Sequence, residues 1–144
     1  YRDHVDQAKL ERFYVEACER LAPFRATVVV KFSLEAVKDF KDGSLDFVYI
    51  DGNHSFENVA ADLAAWSKKI RPGGIIAGHD YVRYRWPNQI HVVQAVNGYT
   101  DAYEIDPWFL LGTQAKVDGE IRDTARSFFW VIQEPRHVPK KIKQ

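Results

Sequence analysis

Two short runs of this chain end in side chains that do chemistry: Asp51, Asn53 and His54 close LDFVYIDGNH, and His79 and Asp80 close PGGIIAGHDY. Carboxylates set beside imidazoles either hold a divalent cation or move a proton near neutral pH. Each polar cluster follows a short run without polar alternation, Phe47 to Ile50 in one case and Ile75 to Gly78 in the other. Such runs are expected of strands buried on both faces of a parallel sheet. In open α/β sheets the ligand crevice lies beyond the carboxyl ends of the strands. Two neighbouring strands would therefore deliver both clusters to one crevice.

The elements that must position these groups can be read along the chain. Between the two runs, Ser55 to Ile70 carries Val59, Leu63, Trp66 and Ile70 on one face and is predicted helical. Upstream, Leu10, Phe13, Tyr14, Ala17, Cys18 and Leu21 form a helical stripe, capped by Asp3 or Asp6 and ended by Pro23. Thr27 to Val30 is β-branched and predicted to be a strand, and Ser33 is placed to cap a short helix through Phe40. Leu45 to Ile50 and Ile75 to Ala77 are predicted strands, with Arg71 to Gly74 as the turn before the second. Val82 to Gln89 is an aromatic, cationic loop, followed by a helix around Ile90 to Tyr103. Trp108 to Leu111 and Phe128 to Ile132 are two late strands. The long polar connection between them, Gly112 to Ser127, is placed as a flap over the site. This alternation predicts one doubly wound α/β domain spanning residues 1–144.

Composition narrows the classes. With 20 basic and 20 acidic residues, no net field points to nucleic acid or an anionic membrane. The four cations between Arg136 and Lys143 are expected to be a solvated chain end. A single cysteine, Cys18, excludes an internal disulfide framework and fits a reducing compartment, the cytoplasm. No apolar stretch approaches the ~20 residues that span a bilayer. The chain opens at Tyr1 and contains no methionine, so it is expected to belong to a longer protein.

The run from Leu45 to Tyr81 resembles the class I S-adenosylmethionine-dependent methyltransferases, nearest to small-molecule O-methyltransferases of the macrolide-sugar, aminocoumarin and catechol types. The resemblance implies a Rossmann-like, mainly parallel sheet with a C-terminal antiparallel strand pair. It implies S-adenosylmethionine as cofactor and a small-molecule methyl acceptor. It places Asp51 at the end of the family's fourth strand, beside the methionine end of the cofactor and in a divalent metal site. His54 falls where some relatives place the general base. His79 and Asp80 fall on the positions that complete the metal site, for magnesium or another divalent ion; imidazole suits zinc or iron better. Phe32 and Ser33 fall near the adenine, and Gly52 joins Asp51 against the cofactor. The family's first two strands, with their glycine-rich loop and ribose-binding acid, have no counterpart here. Weak cofactor binding by this stretch alone, and self-association into a homodimer through an open strand edge, are therefore expected.

Other readings of the same residues stand beside this one. Asp51 is either a site residue or a helix cap, and His54 either a base or a solvent-facing residue of the first turn. His79 and Asp80 either bind or brace one another. Tyr81, Tyr84 and Trp86 form either a substrate platform or ordinary packing. Gly52 to His54 also resembles one block of the binuclear metallophosphoesterases, although the companion blocks are missing. A non-catalytic interaction module is the third possibility.

Overall fold

The two strands expected to carry the chemistry lie side by side. β1 (Leu45–Ile50) pairs in parallel with β2 (Ile70–Gly78), with Ile50 opposite Gly78. β2 then pairs antiparallel with β4 (Ser127–Val131), and β4 with β3 (Phe109–Leu111), giving the order β1-β2-β4-β3. The expected antiparallel pair at the end of the chain is thus present. The computed structural model describes residues 6–84, 90–112, 115, 118–119 and 125–134. It divides into two units, Tyr1–Lys31 and Phe32–Gln144.

The first unit is a helix and its exit. α1 (Gln7–Leu21) starts where the Asp6 side chain accepts a hydrogen bond from the Ala8 N–H. Asp3, the alternative cap, lies outside the described residues. A 3-10 turn over Ala22–Phe24 follows, with Pro23 at its start. Thr27 to Val30 is the first correction, because it joins no ladder. β-branched residues favour extended backbone, but a strand exists only where a neighbour takes its hydrogen bonds.

In the second unit the helices follow sequence pattern closely. α2 (Ser33–Ala36) continues into a 3-10 turn over Val37–Asp39. α3 (Phe56–Trp66) begins where Ser55 Oγ accepts from the Asn58 N–H, and it buries Val59, Asp62 and Leu63. α4 (Val92–Ala102) buries Val92, Val93, Ala95, Val96 and Thr100. Leu63, Ile76, Val96, Phe128 and Trp130 are fully buried and form the centre of the core.

Two further expectations change. Arg71 to Gly74 is part of an irregular β2 rather than a turn, since Gly73 N donates to Ile132 O and Ile132 N to Gly74 O. A Cβ on Gly74 would sit 2.7 Å from the Asp46 carbonyl, so the strands approach this closely only over a glycine. β1 is not buried on both faces. It is the edge of the sheet among the described residues; Leu45, Val48 and Ile50 meet the core while Phe47 and Tyr49 are about half exposed. A run of apolar residues states which strand can be buried, not whether a neighbour covers it.

Candidate functional site

β1 and β2 end at the same level, and the backbone joins their ends. His79 N donates to Ile50 O at 3.0 Å, and His91 N, before α4, donates to His54 O at 2.9 Å. Beyond β1 the chain turns through Asn53, whose Oδ1 accepts from the Ser55 N–H at 2.9 Å. Ser55 supplies the cap of α3, so capping does not use Asp51. Beyond β2, Asp80 adopts the left-handed backbone conformation (φ 58°), which Asp tolerates better than most residues.

These turns gather three of the expected residues. His54 Nε2 lies 2.7 Å from Asp80 Oδ2 and 3.9 Å from Asp51 Oδ1. Asp51, His54 and Asp80 each offer a ligand atom within 4.8 Å of the others. His79 stands beside this group, its Nδ1 3.6 Å from Asp80 Oδ2. The resemblance implies His79 as a metal ligand; the three residues whose ligand atoms lie together are Asp51, His54 and Asp80. Gly78 lies beneath the group, and a Cβ there would press on the Phe128 ring and sit 2.7 Å from the Ile50 carbonyl.

Asp51 also belongs to a second group. Ser33, Asp51, Gly52, Asp62 and Trp66 line a hollow of about 280 Å³ with Val48 to Ile50 of β1. Ser33 does not cap α2; it donates its hydroxyl hydrogen to Asp62 Oδ1 at 2.6 Å and accepts from Trp66 Nε1 at 2.8 Å. Phe32 is the cap residue of α2, is 82% exposed and does not line the hollow. Burial pushes the Asp62 carboxyl above the usual carboxylate range, opposed only by the Ser33 hydrogen bond.

Asp62 and Trp66 were missed in the sequence, yet a signal was there. Val59, Asp62, Leu63 and Trp66 follow the i, i+3, i+4, i+7 spacing of one buried face, and an acid on such a face needs a reason. Of the aromatic cluster, Tyr81 is buried, donates to Asn97 Oδ1 at 2.8 Å and packs edge-on against Trp108, which is a packing role. Tyr84 is exposed. Trp86, the terminal cations and most of the Gly112 to Ser127 connection lie outside the described residues. Larger hollows flank Tyr103 to Trp108, but their linings hold no imidazole and lie away from the ends of β1 and β2. Among the described residues no helix is long and apolar enough to cross a membrane.

With this geometry in place, comparison with known proteins is informative. Residues 2–81 match the family model described as a methyltransferase domain. An uncharacterized protein of Sinorhizobium fredii is 37% identical over 46 residues, which are 32% of this chain and 5% of that protein. An uncharacterized protein of Acanthamoeba polyphaga mimivirus is 36% identical over 61 residues, 42% of this chain and 27% of that protein. Among solved structures, a Corynebacterium glutamicum protein superposes with a TM-score of 0.54 at 14% identity, over 90% of this chain and 59% of its own. A Klebsiella pneumoniae protein proposed to be an O-methyltransferase gives 0.54 at 18% identity, over 87% of this chain and 57% of its own. At these identities the structural likeness establishes the fold: an α/β sheet with a C-terminal antiparallel pair. The chain spans less than three-fifths of each of these solved relatives and a smaller share of the two sequence relatives.

Proposed function

We propose, from the premise that this chain belongs to the methyltransferase-domain family, that the protein of which it forms part transfers a methyl group from S-adenosylmethionine to a small-molecule hydroxyl or similar nucleophile. The observation that carries the reading is the convergence of Asp51, His54 and Asp80 from two adjacent strand ends. The hollow beside Asp51 supports the cofactor reading. Ser33, Asp51 and Gly52 line it together, as the family resemblance requires of residues near the adenine and the methionine.

S-adenosylmethionine, held beside Ser33, Asp51 and Gly52, would supply the activated methyl, its sulfur keeping the electron pair of the carbon–sulfur bond. The chain's own residues must remove the acceptor's proton and hold the acceptor in line. His54 is the proposed proton acceptor. Asp80 Oδ2, 2.7 Å from its Nε2, then faces the positive charge that develops on the ring, and Asp51 Oδ1 lies 3.9 Å from the same nitrogen. General-base assistance of this kind contributes about 10²–10⁴-fold, and holding the reactants in contact can contribute ~7–11 kcal/mol.

A second reading of the same corner is favoured by its donor set. Two carboxylates and one imidazole fit a divalent cation such as zinc, iron or manganese, with Asp51, His54 and Asp80 as ligands. A cation there would polarise a hydroxyl brought to it. The two readings compete for one imidazole, because a ring nitrogen that holds a metal has no lone pair left to accept a proton. Turnover with labelled S-adenosylmethionine, before and after chelation, separates them. Activity that survives chelation and is lost in His54→Ala supports the base. Failure of the whole protein to bind S-adenosylhomocysteine would overturn the methyltransferase reading.

A further inference from the structure

The hollow beside Gly52 contains a carboxylate whose hydrogen bonding is only half accounted for. Asp62 is 7% exposed, on the buried face of α3. A hydroxyl has one hydrogen to give and two lone pairs to offer. Ser33 gives its hydrogen to Asp62 Oδ1 and receives Trp66 Nε1–H, so it has no hydrogen left for a ligand. Asp62 Oδ2 has no hydrogen-bond partner among the described residues. It faces Gly52, where a built Cβ would lie 3.7 Å from it. Oδ2 is not one of the enclosed side-chain atoms without a partner; it opens to the hollow, where it can accept a hydrogen bond from a ligand.

We infer that Asp62, held in place by Ser33 and Trp66, is the residue that recognises the nucleobase of the cofactor, its Oδ2 accepting a hydrogen bond from the exocyclic amino group of adenine. The inference rests on the cofactor reading above and deepens it. The resemblance alone assigns this neighbourhood to Ser33; donor and acceptor accounting moves the contact to Asp62. The walls suit a flat base, since Val48 and Ile50 present apolar side chains and Trp66 an indole. An amino group arriving there replaces lost hydration, whereas a carbonyl in the same position would oppose the carboxylate oxygen.

The test compares two ligands on the whole protein. S-adenosylhomocysteine carries the amino group, and S-inosylhomocysteine carries a carbonyl in its place. Titration calorimetry on the wild type should show a preference of roughly tenfold or more for the adenosine compound. In Asp62→Asn, Oδ1 can still accept from Ser33 while an amide NH₂ replaces Oδ2. The preference should collapse or invert in that variant, with its melting temperature close to wild type. A bracing role alone would lower the melting temperature or weaken both ligands equally, leaving their ratio unchanged. An unchanged ratio in a folded Asp62→Asn variant overturns the inference while leaving the cofactor reading intact. Loss of binding to both ligands by the wild type overturns both.

Discussion

Asp80 shares a ligand group with Asp51, Asp62 shares a hollow with Asp51 and Gly52, and the contrast between the two separates two uses of one side chain. Asp80 meets an imidazole at 2.7 Å, in a corner reached by a second carboxylate. Among the described residues Asp62 takes its side-chain hydrogen bond from a serine hydroxyl, and burial pushes its carboxyl upward. A carboxylate facing an imidazole can share a proton or a cation with it. A carboxylate facing a hydroxyl and apolar walls can only accept hydrogen bonds or take up a proton itself. The neighbour, rather than the residue type, sets the chemistry.

The contrast would break most visibly at the first corner. His54→Ala should reduce turnover by about 10²–10⁴-fold, and Asp51→Ala should also reduce it sharply, with far-ultraviolet circular dichroism unchanged. Full activity in both variants would leave the corner without a catalytic role.

A smaller effect is expected where packing supports that corner. Gly78→Ala would press a methyl against the Phe128 ring and the Ile50 carbonyl. It should cost about 1–3 kcal/mol, measured by denaturant unfolding. A neutral result would mean that β1 and β2 separate easily at their carboxyl ends.

The second corner should reveal itself in the pH dependence of stability. Because the folded-state value of Asp62 is raised, the unfolded chain ionises first as pH rises above about 3.8. Its contribution to stability is therefore present in acid and is lost as pH rises through the folded value. Asp62→Asn should remove this decline. Unfolding curves between pH 3 and 7 check it, and an unchanged slope in the variant would show that Asp62 is not the group responsible. Smallest of all, Tyr49→Phe removes a 2.7 Å hydroxyl contact with Ser127 at an exposed site. Its cost should be at most about 1 kcal/mol in thermal unfolding, and a larger loss would mean that the open face of β1 contributes to the corner.

Much of the first corner was legible because it depends on local pattern. Apolar runs followed by Asp51 and Asp80 mark strand ends, and Val59, Leu63 and Trp66 mark the connecting helix. The second corner was legible only in part. Ser33 and Asp62 lie 29 residues apart, and nothing in either segment states that they meet. The same limit explains Thr27 to Val30 and the exposure of Phe47 and Tyr49. Propensity describes a segment, whereas a ladder or a buried face requires a second segment.

The sequence by itself determined the α/β class, the helices, two late strands and the arrival of Asp51, His54 and Asp80 at strand ends; the antiparallel pairing of the late strands was implied by the family resemblance. Period, capping residues and turn chemistry act over a few residues, so they can be read from those residues alone. Only the tertiary structure decided which imidazole meets which carboxylate, that β1 lies at an edge, and that Asp62 closes a hollow beside Gly52. Those outcomes depend on register and on the packing of α3 against α2 and β1. Both are decided by contacts between residues far apart in the chain, where burial and hydrogen-bond satisfaction outweigh local preference.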